Sequence, residues 1–261
     1  MITESVTVDL KEFLSGYIES FKTADQDIKD NLDLKKYHTE RVVNNALRIA
    51  ESIELDETDT KIVEVVALLH DIGRFPQFAK YKTFSDADSI DHAKLGIEVI
   101  EENDLLKAFD EEVASNIKEA IINHSARKIP AKCNDKVLLY SKIIRDADKL
   151  DIYKVMIDHY KSNQGRAITP VTLDLPISNT ISDKVFKAAM SKQQVDKNSL
   201  QSLSDFKVLQ MAWIYDMNFK QSFKIVNENN YLKSIYETLP KNDRVIDIYR
   251  EVKIFMENQF I

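Results

Sequence analysis

Glycine and proline are scarce in this chain, four and five in 261 residues, too few for the dense turns of an all-β architecture. Cys133 is the single cysteine, so no internal disulfide forms, which agrees with a reducing compartment and an expected cytoplasmic location. The first residues, MITESVTVDL, have no basic stretch followed by an apolar core, so no signal peptide is read there. No apolar run approaches the roughly 20 residues of a membrane helix, and no membrane is expected as a partner. A long basic stripe is also missing, and the net charge is −7 with a pI near 5.4. Duplex nucleic acid is therefore not an expected partner. What remains is an ordinary globular balance, 44% hydrophobic and 30% charged, at a length of one or two domains.

Helical periodicity covers most of the chain. Leu10, Phe13, Leu14, Tyr17, Ile18 and Phe21 recur at three and four. Asp33 is a candidate N-cap for a second helix reaching Ser52, with Val42, Ala46, Ile49 and Ile53 inward. A third helix runs from about Thr58 to the stretch ALLHDIGRF, closed by Gly73 as a glycine C-cap. Residues 74–88, with Pro76, Phe75, Phe78, Tyr81 and Phe84, read as a polar loop. Asp88 or Ser89 caps a short helix to Glu102. Further helices run from Asp104 to His124 and from Asp135 to about Tyr160. Residues 162–180, with Gly165, Pro170 and Pro176, form a connector that suits one short β-hairpin. Helical patterns return at 183–192, 203–226, 230–238 and 243–258. The expected fold is all-α: one domain over 1–261, with a core at about 30–160 and a C-terminal helical elaboration at about 181–261, whose apolar stripe (Phe206, Leu209, Trp213, Phe219) needs a partner.

Residues 62–69 are apolar nearly all round a helix, which marks that helix as central. His70 and Asp71 stand at its end, where burying polar groups costs several kcal/mol unless they are paired or bind metal. Other helices add similar groups on their apolar stripes. His38 lies four before Val42, and His124 three after Ile121. His92 is followed by Gly96, whose bare backbone leaves room, and Asp148 lies four after Ile144. A lone histidine on an apolar face is usually just a satisfied core residue. Five helices aiming ligand-type side chains at one interior describe a metal site in a bundle. His38, His70, Asp71, His92, His124 and Asp148 contain no thiolate, which suits Mn, Fe, Zn, Co or Mg. Six ligands are too many for one catalytic ion, which keeps an open position. They fit two divalent ions, with Asp71 as the bridge.

The order His38, His70-Asp71, Asp148, ending in ADKLD (147–151), resembles the HD superfamily of metal-dependent phosphohydrolases. His92 in DHAKLG and His124 in INHS resemble its binuclear branch. That branch's adjacent histidine pair is here His124-Ser125, and no Gly-Tyr-Pro accompanies it. The resemblance covers about 30–160. It implies one ion held by His38, His70, Asp71 and Asp148, and a second sharing Asp71 with His92 and His124. It also implies hydrolysis of a phosphoester or phosphoanhydride by metal-activated hydroxide, oriented by the bridging Asp71, on a small phosphorylated substrate such as a nucleotide.

Arg74 and Lys149 flank the ligands and are candidate phosphate contacts, against the plainer reading of surface ion pairs. Arg127 and Lys128 extend a basic rim. The aromatics of 75–84 offer a base a stacking surface, although packing is their commoner use. Asp146, and less strongly Asp91, are candidate orienters of a ligand histidine. His159 and Cys133 read as structural. Two other functions stay open: a di-iron oxygenase of the inositol-oxygenase kind, distinguished by its need for oxygen, and a non-catalytic nucleotide-binding signalling module, distinguished by binding without turnover. The sequence leaves oligomeric state, including a homo-oligomer, open.

Overall fold

The computed structural model describes residues 4–162 and 175–260. It is all-α, and no strand occurs among the described residues. Most of the expected β-hairpin at 162–180 lies outside them. The chain divides into two compact units, Met1–Asp151 and Ile152–Ile261. The division falls inside a helix rather than in the connector, where the composition changes.

The first unit holds α1 (Glu4–Ser20), α2 (Gln26–Ser52), α3 (Glu57–Leu69), α4 (Arg74–Tyr81), α5 (His92–Glu102), α6 (Glu111–Ser125) and the first part of α7 (Asp135–Ser162). Aspartates start three of these helices by accepting bonds from backbone N–H groups that have no partner inside the helix. Asp25 accepts from Asp27, Asp56 from Asp59, and Asp91 from Ala93 and Lys94. Asp25, not Asp33, therefore caps α2, and the helix begins about two turns earlier than the Asp33 cap implies. α3 is central, packing against α1, α2 and α6. Its Ile62, Val63, Val65, Val66, Ala67, Leu68 and Leu69 are all buried, as the apolar run predicts, and the one acid within it, Glu64, pairs with Lys11.

Two expectations around residue 73 need correction. Residues 74–81 are helical rather than a loop, and Pro76 sits in the first turn, where its missing N–H breaks no bond. Phe75 and Phe78 are buried in the core and offer no stacking face. Gly73 has φ −67° and leads into α4, so it is not a left-handed cap. Its role is close approach. A Cβ there would lie 2.2 Å from the carbonyl oxygen of His92 and 2.6 Å from the amide nitrogen of Gly96. The elbow 70–73 thereby rests directly on the first turns of α5.

The second unit holds the end of α7 with α8 (Asp183–Met190), α9 (Leu203–Ala212), α10 (Lys220–Glu228), α11 (Tyr231–Glu237) and α12 (Asp243–Glu257). The continuous pattern at 203–226 is interrupted by a 3-10 turn, Trp213–Asp216. α8 packs on α9 and α12. Fully buried Asp205 fastens this corner, accepting bonds from the Ser182 amide and hydroxyl and from the Gln201 amide.

The glycine contact gives a graded test. Gly73→Ala forces a methyl into backbone atoms and should lower unfolding stability by about 2–3 kcal/mol, the upper range for overpacking. Gly96→Ala meets only ordinary contacts at 3.4 Å and beyond and should cost under about 1 kcal/mol. Urea unfolding of both variants measures the difference, and equal losses would contradict it.

Candidate metal centre

The HD pair lies on the short elbow between α3 and α4. Helix ends leave carbonyl groups without partners, and two histidines here use them. His70 Nδ1 is 2.8 Å from the Ala67 carbonyl oxygen, and His124 Nδ1 is 2.5 Å from that of Ile121. Carboxylates serve the other two. His38 Nδ1 lies 2.7 Å from Asp151 Oδ2, and His92 Nδ1 lies 2.7 Å from Asp86 Oδ2. A carbonyl or carboxylate only accepts, so each Nδ1 donates. In the neutral ring the lone pair then sits on Nε2.

All four Nε2 atoms converge on Asp71. Its Oδ2 lies 3.5 Å from His38 Nε2 and 3.6 Å from His70 Nε2. Its Oδ1 lies 3.5 Å from His92 Nε2 and 3.7 Å from His124 Nε2. Asp148 Oδ1 adds a further oxygen 3.2 Å from His38 Nε2. The two sides form separate candidate ligand groups, His38–His70–Asp71 and Asp71–His92–His124.

The donor set fits divalent ions. With metal–ligand bonds of about 2.1 Å, two ligand atoms on one ion lie about 3.0–3.4 Å apart, close to these separations. His38 and His70 are buried, and their Nε2 atoms have no hydrogen-bond partner. His92 and His124 set their Nε2 atoms 3.0 Å apart, an arrangement that favours a shared cation over two facing lone pairs.

Electrostatics point the same way. Burial opposes ionisation of Asp71, yet Lys35 and the surrounding imidazoles hold its pKa well below the usual range. Asp86, Asp148 and Asp151 are likewise lowered against burial, mainly by their histidine contacts. His70 is pushed down to about 4 by burial, so it stays neutral and ready to ligate. Burial also disfavours charge on His38, but Asp148, Asp151 and Asp71 raise it to about 10. This concentration of carboxylates is what a divalent cation would also satisfy.

The centre lies within the first unit and joins all six ligand candidates read from the sequence. Arg74 reaches it differently from expectation. Its Nη1 is bonded to Gln77, to the Phe84 carbonyl and to Asp86, while its buried Nε faces Asp71 Oδ1 at 3.5 Å without a hydrogen bond. Lys149 is half-buried on α7 beside Asp148.

Three contributors around Asp71 and its histidines, and the arginine that holds one of them, were not legible. The histidine orienters are Asp151 and Asp86, where the sequence suggested Asp146 and Asp91; Asp91 is a helix cap. Asp151 stands one turn after Asp148, a spacing that flags a shared face. Asp86 lies in a polar loop with no such signal. Arg41 locks Asp151 through two bonds, of 2.5 and 3.1 Å. The third contributor is Lys35, whose Nζ is 2.6 Å from Asp71 Oδ2.

Removing an orienting carboxylate should weaken metal binding about 10- to 100-fold while leaving the fold intact. Titration of Mn2+ into Asp151→Asn and Asp86→Asn, with circular dichroism as the fold control, measures this; wild-type affinity in both would contradict it. In chelator-treated protein, His70 and His38 make opposite contributions. As pH falls from 6.5 toward 4, the unfolded chain takes up a proton that folded His70 refuses. As pH rises from 6.5 toward 10, the fold loses the proton His38 retains. Melting temperatures should therefore peak near pH 6.5, and a steady rise from there to pH 10 would contradict the account of His38.

Residues 36–153 match the family model described as HD domain. No curated protein and no solved structure matches the chain. HD domains are generally metal-dependent phosphohydrolases and bind divalent metals. The match runs from just before His38 to just after Asp151, enclosing the six ligand candidates and both orienting carboxylates. Over this segment, a little under half of its length, the chain is similar to the HD domain family.

Proposed function

We propose that the protein is a metal-dependent phosphohydrolase that cleaves a phosphoester or phosphoanhydride of a nucleotide or similar phosphorylated metabolite, using two divalent ions. The observation that carries this reading is the division of Asp71, one oxygen facing the His38–His70 pair and the other facing the His92–His124 pair. His38, His70, Asp71 and Asp148 would hold one ion, and Asp71, His92 and His124 the other. Bound there, the ions supply an activated water near neutral pH and neutralise charge on the phosphoryl group.

The protein's own residues supply orientation and charge. The four Nδ1 bonds fix the rings, so little rearrangement accompanies loading. Asp71, with one oxygen toward each histidine pair, would hold both ions and orient the attacking water. Arg74, at the start of α4, is held by three acceptors and turns its Nε edge toward Asp71, placing positive charge where a phosphoryl oxygen would arrive. Lys149, next to Asp148, is the second phosphate contact in this reading. Among the described residues no helix is long and apolar enough to cross a membrane, consistent with a small dissolved substrate.

Elemental analysis of protein purified without chelator should find close to two ions per chain. Asp71→Ala should lose both together and lower turnover by more than the roughly 100-fold expected for an outer partner. A panel of nucleotides and phosphomonoesters with Mn2+ or Fe2+ should show phosphate release that is unchanged without oxygen. Turnover that requires oxygen would instead favour an oxygenase. Absence of turnover with every ion would overturn the hydrolase reading.

A further inference from the structure

Lys35 lies on α2 one turn before His38 and just outside the matched segment 36–153. Its ammonium is 2.6 Å from Asp71 Oδ2, the oxygen that His38 and His70 also face. It stands 5.5 Å above the Phe84 ring. Asp71 is buried, whereas Lys35 and Asp148 each keep 18% of the side chain exposed. These two therefore mark where the Oδ2 side opens to solvent.

Two other nearby cations, Arg41 and Arg74, are more firmly engaged. Arg41 is committed to both oxygens of Asp151, and Arg74 is tied to a backbone carbonyl and to Asp86. Lys35 has one carboxylate oxygen at the end of a flexible stem. A divalent cation bound by His38, His70 and Asp71 would draw on that same oxygen. At equal distance it attracts a carboxylate about twice as strongly as an ammonium and repels the ammonium itself. Lys35 would give way, remaining at the solvent edge beside Phe84, and an incoming anion would be its next counter-charge.

We propose that Lys35 is an exchangeable substrate-positioning residue. It neutralises Asp71 before metal loads, then binds a non-reacting oxygen of the substrate phosphoryl group. This rests on the phosphohydrolase reading above and goes beyond it, because a purely structural Lys35–Asp71 ion pair would serve the fold alone.

The test uses the full chain with Lys35→Met and Lys35→Arg, and Mn2+ and inorganic phosphate as probes. Calorimetric titration of metal-free protein should show Mn2+ binding about three- to tenfold tighter in Lys35→Met, because a competing cation is gone. Phosphate should bind the Mn2+-loaded Lys35→Met protein about tenfold more weakly than wild type, the loss of one charge-assisted hydrogen bond. Lys35→Arg should restore most of that affinity. With any substrate found, KM should rise more than kcat falls. If circular dichroism shows Lys35→Met misfolded, Lys35→Gln carries the same readouts. Equal phosphate affinity in wild type and the neutral variant, or no phosphate binding by Mn2+-loaded wild type, overturns the proposal. The two readings fail separately. Phosphate affinity lost in the neutral variant with no hydrolysis of any substrate would sink the activity and keep Lys35. Hydrolysis with unchanged KM and phosphate affinity would do the reverse.

Discussion

Asp71 is a carboxylate almost wholly removed from water, and such a group costs several kcal/mol unless charge or hydrogen bonds compensate it. Here the compensation comes from every direction: two imidazoles on each oxygen, and an ammonium and a guanidinium edge beside them. Much else in the first unit follows from this constraint. The last turns of α3 have to be almost wholly apolar to hold its final residues at the centre. The elbow 70–73 has to be short, and Gly73 has to lack a side chain, or α5 could not bring His92 against Oδ1.

The four histidines reach the same orientation by two routes. His70 and His124 stand at helix ends and bond carbonyls three residues back, so the helix that carries each ring also fixes its tautomer. His38 and His92 stand away from helix C-termini, where no such carbonyl is available, and depend on carboxylates from elsewhere in the chain, Asp151 and Asp86. The second route adds one carboxylate to each half of the centre. Asp148 adds a further one on the Oδ2 side, which is also the half where Lys35 sits.

Legibility followed the range of the interaction. The ligand candidates could be read because each lies on, or directly at the end of, a helical stripe whose period is a local property. Asp151 was within reach of the same reasoning, one turn from Asp148, but nothing in sequence ties it to His38, 113 positions away. Asp86 was hidden because loop residues carry no period. Residues 74–81 were misread because Pro76 and the aromatics resemble a loop, although a proline in a first helical turn is compatible with helix.

The sequence by itself determined an all-α chain, a central apolar helix ending in His70-Asp71, and the types of ligand available, because periodicity and side-chain chemistry are written residue by residue. Only the tertiary structure decided which oxygen of Asp71 faces which imidazole pair, which carboxylates orient His38 and His92, and that Lys35 enters the centre from the solvent edge. Those facts depend on how helices far apart in sequence cross. Close approaches set the crossing, such as that of Gly73 to the backbone of α5, and their distances have no counterpart in one-dimensional spacing.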